Sequence, residues 1–407
     1  MEEWKEYKLG ELITLNSGGT PDKNNKSYWD GEIPWISAKF MYDDYLYSSE
    51  LKISQDGLTS GSRLAPKGSI LLLTRGSGLF NRIPVCYTMR DLAYNQDVKC
   101  IESKNKELVS TEYLFYWLMG NKDSISAILE TTGIGAGKID TNRLKNIRIS
   151  LPPKEYQQIL IGFAESIMHK IEVNRRINEN LEQQAQALFK SWFVDFEPFK
   201  NQPFVESELG MIPHGWSIDN IYKYVDVIYG APYKSSLFNE KKEGLPLIRI
   251  RDLKTNSPQV YTSETLPTTE YIEAGDIVAG MDAEFVPCVW LGERGVLNQR
   301  CCKFKAKDPS ISNYYILFLL KPELEYVQSY KTGTTVSHLG KSDIDRFRFI
   351  TPPIDVIIPF SRRVDALLKE KVAIAQESRC LAELRDALLP RLMSGELKVN
   401  DLENNEI

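Results

Sequence analysis

Four stretches of the chain carry residue types that could do chemistry. The first is "TTGIGAGKID", Thr131 to Asp140, where Gly133, Gly135 and Gly137 precede Lys138. Bare backbone N–H groups in a glycine-rich loop ahead of a helix can approach a phosphate closely. A Walker A loop needs G-x-x-x-x-G-K-[ST]. Here Thr132 stands where the first glycine belongs and Ile139 where the hydroxyl residue belongs. The second is Asp91 followed by Glu102-Ser103-Lys104, a loose match to nucleases that hold Mg²⁺ with two acids beside a lysine. The third and fourth, "LPPK" and "TPPI", lack both ends of the [DN]-P-P-[YF] loop of amino-methyltransferases. Neither G-x-S-x-G nor H-E-x-x-H occurs. Cys86, Cys100, Cys288, Cys301, Cys302 and Cys380 form no C-x-x-C pair, and His169, His214 and His338 are scattered. Neither a zinc nor any other metal site is expected.

Behind these stretches lies a repeat. Thr131–Pro153 recurs 200 residues later as Lys331–Pro353, "KTGTTVSHLGKSDIDRFRFITPP". Thr132-Gly133 falls on Thr332-Gly333, Arg148 on Arg348 and Pro152-Pro153 on Pro352-Pro353. Upstream, "GEIPWISAKF" (31–40) resembles "EGLPLIRIRDL" (243–253), and "YNQDVKCIE" (94–102) resembles "LNQRCCKFK" (297–305). Because Gly135 and Gly137 become Thr335 and Ser337, a nucleotide loop is not what the two copies share. Lys305 takes the place of Glu102, so that nuclease acid is not shared either.

Each copy has a globular part of about 150 residues, with short strand-like runs divided by Gly, Pro and Asn. The clearest helix in each is Thr111–Leu129 and Asn313–Tyr330. A stretch of different character follows. Beyond Pro153, apolar residues recur at Leu160, Ala164, Ile167 and Ile171, then at Leu181, Ala185, Leu188 and Trp192. Asn174 and Asn178 are polar steps between them that either fix a register or form a solvated break in the seam. The second copy places Val364, Leu367, Ile374, Ser378, Leu381, Arg385, Leu388 and Leu392 likewise, ending at Ser394-Gly395. Steps of three and four are a coiled-coil seam. The alternative is a surface helix packed on its own domain; but roughly 40 helical residues extend ~60 Å, against roughly 35–40 Å for a domain of 150 residues, so such helices are expected to project and most simply pack on each other.

The chain has 407 residues, 42% apolar and 26% charged, with net charge −5. The opening "MEEWKEYKLG" has no basic n-region and no apolar h-region, and the longest apolar runs are too short for a bilayer span. A cytoplasmic protein without membrane association is expected. Residues 1–150 hold 19 basic and 19 acidic side chains. A lone nucleic-acid binder is usually more basic.

Nearly the whole chain resembles the specificity subunits of Type I restriction–modification systems. "QALFKSWFVDFEPF" (186–199), "LRDALLPRLMSGEL" (384–397), "YNQDV" and "GTTVSHLGKSDIDRFRFITPP" carry the resemblance. It implies an α+β protein: two similar mixed α/β target-recognition domains related by pseudo-twofold symmetry, joined by two long helices forming an antiparallel coiled coil. The expected bounds are 1–152, spacer helix 153–200, 201–352, spacer helix 353–400, and a tail 401–407. The resemblance also implies a non-catalytic subunit that reads a bipartite target in double-stranded DNA, one half per domain. Two methylation subunits would carry AdoMet, this chain no cofactor, and motor/nuclease restriction subunits would join.

DNA-contacting residues are expected on loops that carry Arg, Lys, Asn and Gln. In the first domain they are Lys39, Arg75, Ser77, Asn95, Gln96 and Lys138; in the second, Arg249, Arg251, Asp282, Gln299, Arg300 and Thr334. Asn95 and Asn298 could instead cap turns. Asn174, Asn178, Leu188, Trp192, Phe193, Leu388 and Leu392 are expected in the spacer and its partner contacts. Two other readings stay open: a duplicated scaffold for protein or glycan, with Trp192-Phe193 as its hot spot, and an Mg²⁺-dependent endonuclease using Asp91, Glu102 and Lys104.

Overall fold

The computed structural model describes residues 4–133, 135–331 and 338–399. Two compact units form, one of residues up to His169 together with Leu381 onward, the other of Lys170–Cys380.

In the first unit the run "ILLL", Ile70–Leu73, is buried on both faces and lies inside a five-stranded sheet, as an uninterrupted apolar strand must. The order across that sheet is Ile13–Ser17, Val98–Ser103, Ile70–Leu73, Val85–Thr88, Tyr45–Leu46. A second sheet runs Lys52–Ile53, Ile33–Ile36, Leu92–Tyr94, Arg63–Ala65, with its middle pair parallel. Helix Thr111–Gly120 buries Tyr113 through Met119 in the core, and its first turn is capped by Ser110 Oγ, which accepts from Tyr113 N at 3.0 Å. The single helix expected over Thr111–Leu129 is broken. Asn121 folds back so that Nδ2 donates to Trp117 O at 2.8 Å, a short helix Lys122–Ser126 follows, and Leu129 already begins a strand.

The second unit repeats this order. Val225–Tyr229, Cys301–Ala306, Ile277–Gly280 and Cys288–Val289 form one sheet. Leu245–Ile248 runs parallel to Gly295–Leu297, which is antiparallel to Tyr271–Ile272. Each unit closes by pairing an early strand with a late one, Lys5–Lys8 with Arg148–Leu151 and Ser217–Asp219 with Phe349–Thr351. The duplication in the sequence is thus a duplication of topology. The second unit adds a hairpin, Phe204–Ser207 with Gly210–Pro213.

Two long helices follow the closing strands, Lys154–Phe193 and Ile354–Ser394. Within the second unit they run antiparallel, because contacts climb one helix as they descend the other. Lys170 Nζ and Asn174 Nδ2 reach Glu377 Oε2 at 3.2 and 2.7 Å, and Glu182 pairs with Lys371. The Asn174 and Lys170 hydrogen bonds hold the Glu377 carboxyl below its ordinary range. Within the first unit, Leu160, Ala164 and Met168 share a core with Leu389, Leu392 and Met393. The second helix stops where expected: Gly395 takes φ +79°, a conformation that suits glycine.

The apolar seam is buried at Leu160, Ala164, Ile167, Leu181, Ala185 and Val364. Between its halves Asn174 is fully buried, and the Oδ1 atoms of Asn174 and Asn178 have no hydrogen-bond partner. Buried polar steps of this kind lower stability and penalise other registers. Toward the end of the first helix the burial moves off the predicted line. Phe189 and Phe193 are buried while Leu188 and Trp192 are half-buried. Phe193 lies 4.8 Å from the Phe360 ring and 5.3 Å from Tyr315, inside the second unit's core. Phe193 and Leu392 are therefore packing residues of the spacer, and of the Trp192-Phe193 pair Trp192 alone is left half-buried. Leu388 is half-buried against the first core.

Burial also decides the thiols. It raises Cys100 to about 11 and Cys288 and Cys302 to about 12, and pushes Cys86 and Cys301 up as well. Cys380 alone is exposed. Since the thiolate is the reactive form, iodoacetamide at neutral pH is expected to label the native protein at Cys380, with the other five reacting only after unfolding. Peptide mass mapping before and after urea checks this.

Candidate nucleic-acid interface

One set of backbone hydrogen bonds is built twice. In the first unit Gly19 N donates to Tyr94 O at 2.9 Å, and in the second Ala231 N donates to Leu297 O at 2.9 Å. Asn95 N reaches Ile36 O at 2.9 Å, and Asn298 N reaches Ile248 O at 3.0 Å. Thr74 N to Asp97 O corresponds to Met281 N to Arg300 O, both 2.8 Å. Ile139 N to Thr74 O, 2.9 Å, corresponds to Leu339 N to Met281 O, 2.7 Å. These bonds gather loops near residues 18, 75, 96 and 138 in one unit, and near 230, 282, 299 and 338 in the other.

Two glycines allow the approach. A Cβ on Gly18 would stand 2.1 Å from Tyr94 O, and one on Gly230 would stand 2.2 Å from Asn298 O. Neither has room for a side chain.

The frame gives each predicted residue its place. Asn95 is buried, and its Oδ1 accepts from Asp97 N at 3.2 Å; Asn298 Oδ1 accepts from Arg300 N at 3.1 Å. Both asparagines cap turns, and Asn95 is not available as a contact. The next residue in each copy, Gln96 or Gln299, is exposed. Gln96 Oε1 is held by the Thr20 hydroxyl at 2.6 Å, beside a groove of about 460 Å³ that Trp29, Trp35 and Ser37 also line. Lys39 and Arg251 occupy matching places after the strands Ile33–Ile36 and Leu245–Ile248, and both are exposed. Lys39 stands 3.9 Å from Glu50. Arg249, in contrast, is tied to the buried Asp252 at 3.1 Å and shapes the turn. Ser77 is exposed at the start of the turn Ser77–Phe80. Thr334 lies outside the described residues.

The glycine-rich opening stretch forms a hairpin. Strands Leu129–Thr131 and Gly137–Ile139 pair, and Thr132 N and Oγ1 both donate to Ala136 O. Among the described residues the glycines lead into the strand Gly137–Ile139 and not into a helix; the next helix, Thr141–Lys145, is capped by Asp140. Lys138 instead lies directly opposite Arg75 in the strand register.

Two of the three nuclease candidates, Asp91 and Lys104, are spent on structure. Asp91 Oδ1 accepts from Lys67 N at 2.8 Å, and Lys104 Nζ donates to Gly10 O at 2.6 Å. Among the described residues no group of three or more His, Cys, Asp or Glu side chains could hold a metal ion. No helix among them is long and apolar enough to cross a membrane.

Three residues of the frame escaped prediction. Lys99 Nζ donates to Ser17 Oγ at 2.5 Å; burial lowers its pKa, Asp97 opposes that shift, and Arg75 adds to it. His338 Nδ1 lies 2.7 Å from Asp282 Oδ1. Asp97 holds the place that Arg300 holds in the other copy. Matching "YNQDVK" to "LNQRCC" column by column would have found Asp97, while Lys99 and His338 required the strand register.

Each unit thus presents its own set of loops on the same hydrogen-bonded frame. The chain belongs to the family of the Type I restriction modification DNA specificity domain, whose family model matches residues 1–183 and 225–371. It is 29% identical to the Type I restriction enzyme MjaIX specificity subunit of Methanocaldococcus jannaschii, over 98% of this chain and 95% of that one. It is 23% identical to the HindI specificity subunit of Haemophilus influenzae, over 98% of this chain and all of the relative. Among solved structures it is similar to the Type I restriction–modification S subunit from M. genitalium, with 13% identity, a TM-score of 0.48 and 96% of each chain covered.

Proposed function

We propose that this chain is the DNA-reading subunit of a Type I restriction–modification complex and recognises a bipartite duplex target, one half-site per unit. The single observation that carries this reading is the frame built twice, with matching hydrogen bonds and different side chains mounted on it. One scaffold holding two sets of loop residues can read two unrelated half-sites. The chain itself does no chemistry in this reading. Methyl transfer belongs to two methylation subunits that bring AdoMet, and cleavage to motor/nuclease subunits. That division accounts for a DNA reader with net charge −5, since partner chains supply much of the phosphate grip. The paired helices set the unread gap between half-sites, as half-site spacing follows protein geometry in dimeric readers.

The chain is expected to co-purify with a methyltransferase when expressed in its host. The complex should bind a duplex carrying its motif with a steep salt dependence, losing about 10³-fold in affinity or more between about 50 and 200 mM salt. Fluorescence anisotropy measures this. Salt-independent binding, or a partner without methyltransferase activity, would count for the scaffold reading instead.

A further inference from the structure

The two copies of the frame carry inverted charges. Backbone register makes Arg75 the counterpart of Asp282, Lys138 that of His338, and Asp97 that of Arg300. In the first unit two cations, Arg75 and Lys138, face each other across the strand pair. Like charges directly opposite are unfavourable, and they leave donors ready for an outside acceptor. In the second unit the centre is an anion. Asp282 uses one oxygen for Arg300 Nη1 at 2.7 Å and the other for His338 Nδ1 at 2.7 Å.

As a surface ion pair this arrangement would contribute little to stability, since Arg300 is 57% exposed at its side chain and His338 47%. Its geometry is better suited to holding than to stabilising. The Arg300 backbone N is fixed by the Asn298 cap, and its guanidinium is fixed at one end by Asp282. The remaining N–H groups keep the planar fork that matches two acceptors side by side. In the major groove the base edge with two such acceptors is guanine, through O6 and N7.

We infer that Arg300 reads a guanine in the second half-site and that Asp282 is its positioning residue. This rests on the bipartite reading above. Ordering the guanidinium before contact removes part of the entropy that a free arginine would lose on binding. Asp282 makes no base contact itself; it holds Arg300 in the one orientation in which the fork meets a base edge.

The test is genome-wide methylation mapping in host cells whose own gene is replaced by wild type, Arg300→Ala, Asp282→Asn or Arg75→Ala. With Arg300→Ala, one guanine of the second half-site should become degenerate, its preference falling about tenfold or more, while the first half-site keeps its sequence. Asp282→Asn should relax the same position to a smaller extent, and Arg75→Ala should leave that position alone. An unchanged second half-site in both Arg300→Ala and Asp282→Asn overturns the inference while leaving the bipartite reading intact. Complete loss of modification by both variants, in chains that still co-purify with their partners, overturns it too, because the residues would then set affinity rather than base choice. A wild-type strain with no bipartite motif would refute the functional reading itself.

Discussion

Deleting Asn174–Asn180 together with Lys371–Glu377 is expected to shorten the unread gap of the target by about three base pairs. The two segments lie opposite each other in the antiparallel pair, as the Asn174–Glu377 and Glu182–Lys371 contacts show. Seven residues are about two helical turns, and the seam returns to within roughly 20° of its phase. Each helix shortens by about 10 Å, and DNA rises about 3.4 Å per base pair. The deletion also removes the buried Asn174 and the Lys371 partner of Glu182. The remaining contact is more apolar, so folding should survive even if register is less strictly set. Deleting only one of the two segments should instead misalign the helices and abolish modification. Methylation mapping reads all three cases.

Gly230→Ala is expected to disable the second half-site alone. The added carbon would stand 2.2 Å from Asn298 O, a backbone atom that cannot swing aside. The turn carrying Asn298, Gln299 and Arg300 must move, at a cost of about 1–3 kcal/mol for an overpacked site. On the proposed reading a displaced turn would lose base-edge contacts worth about 1–3 kcal/mol each. The melting temperature should fall by a few degrees, and modification should fade or lose its specificity in the second half-site. Gly18→Ala, whose new carbon would meet Tyr94 O at 2.1 Å, should do the same to the first. Equal damage to both half-sites by either variant would mean that the units do not read separately.

Much of this arrangement is legible in the sequence because repetition is. Proline pairs marked the helix starts, and apolar spacing marked the helices, since burial along a seam constrains every third or fourth residue. Where tertiary packing decides, the pattern said less. Phe189 and Phe193 displaced the expected Leu188 and Trp192 line because aromatic rings from another helix, such as Phe360, fill that side. The loops that the frame gathers were legible in the sequence, the side chains left exposed on them only partly. Asn95 and Arg249 have the right chemistry for DNA but are used up by Asp97 N and Asp252. Local hydrogen bonds of that kind leave no mark in composition. His338 drew no notice as a lone histidine, and only the strand register places it on Asp282. The three glycines ahead of Lys138 suggested a phosphate loop, yet the same flexibility serves a hairpin whose strand sets Lys138 against Arg75.

The central claim is that one chain reads two half-sites separated by a fixed gap. Long-read methylation mapping of the host with and without this gene tests it most directly. A bipartite motif, two specified segments flanking an unspecified stretch of constant length, should be present with the gene and vanish without it. An identical methylome in both strains, or loss of a single contiguous motif, would contradict the account.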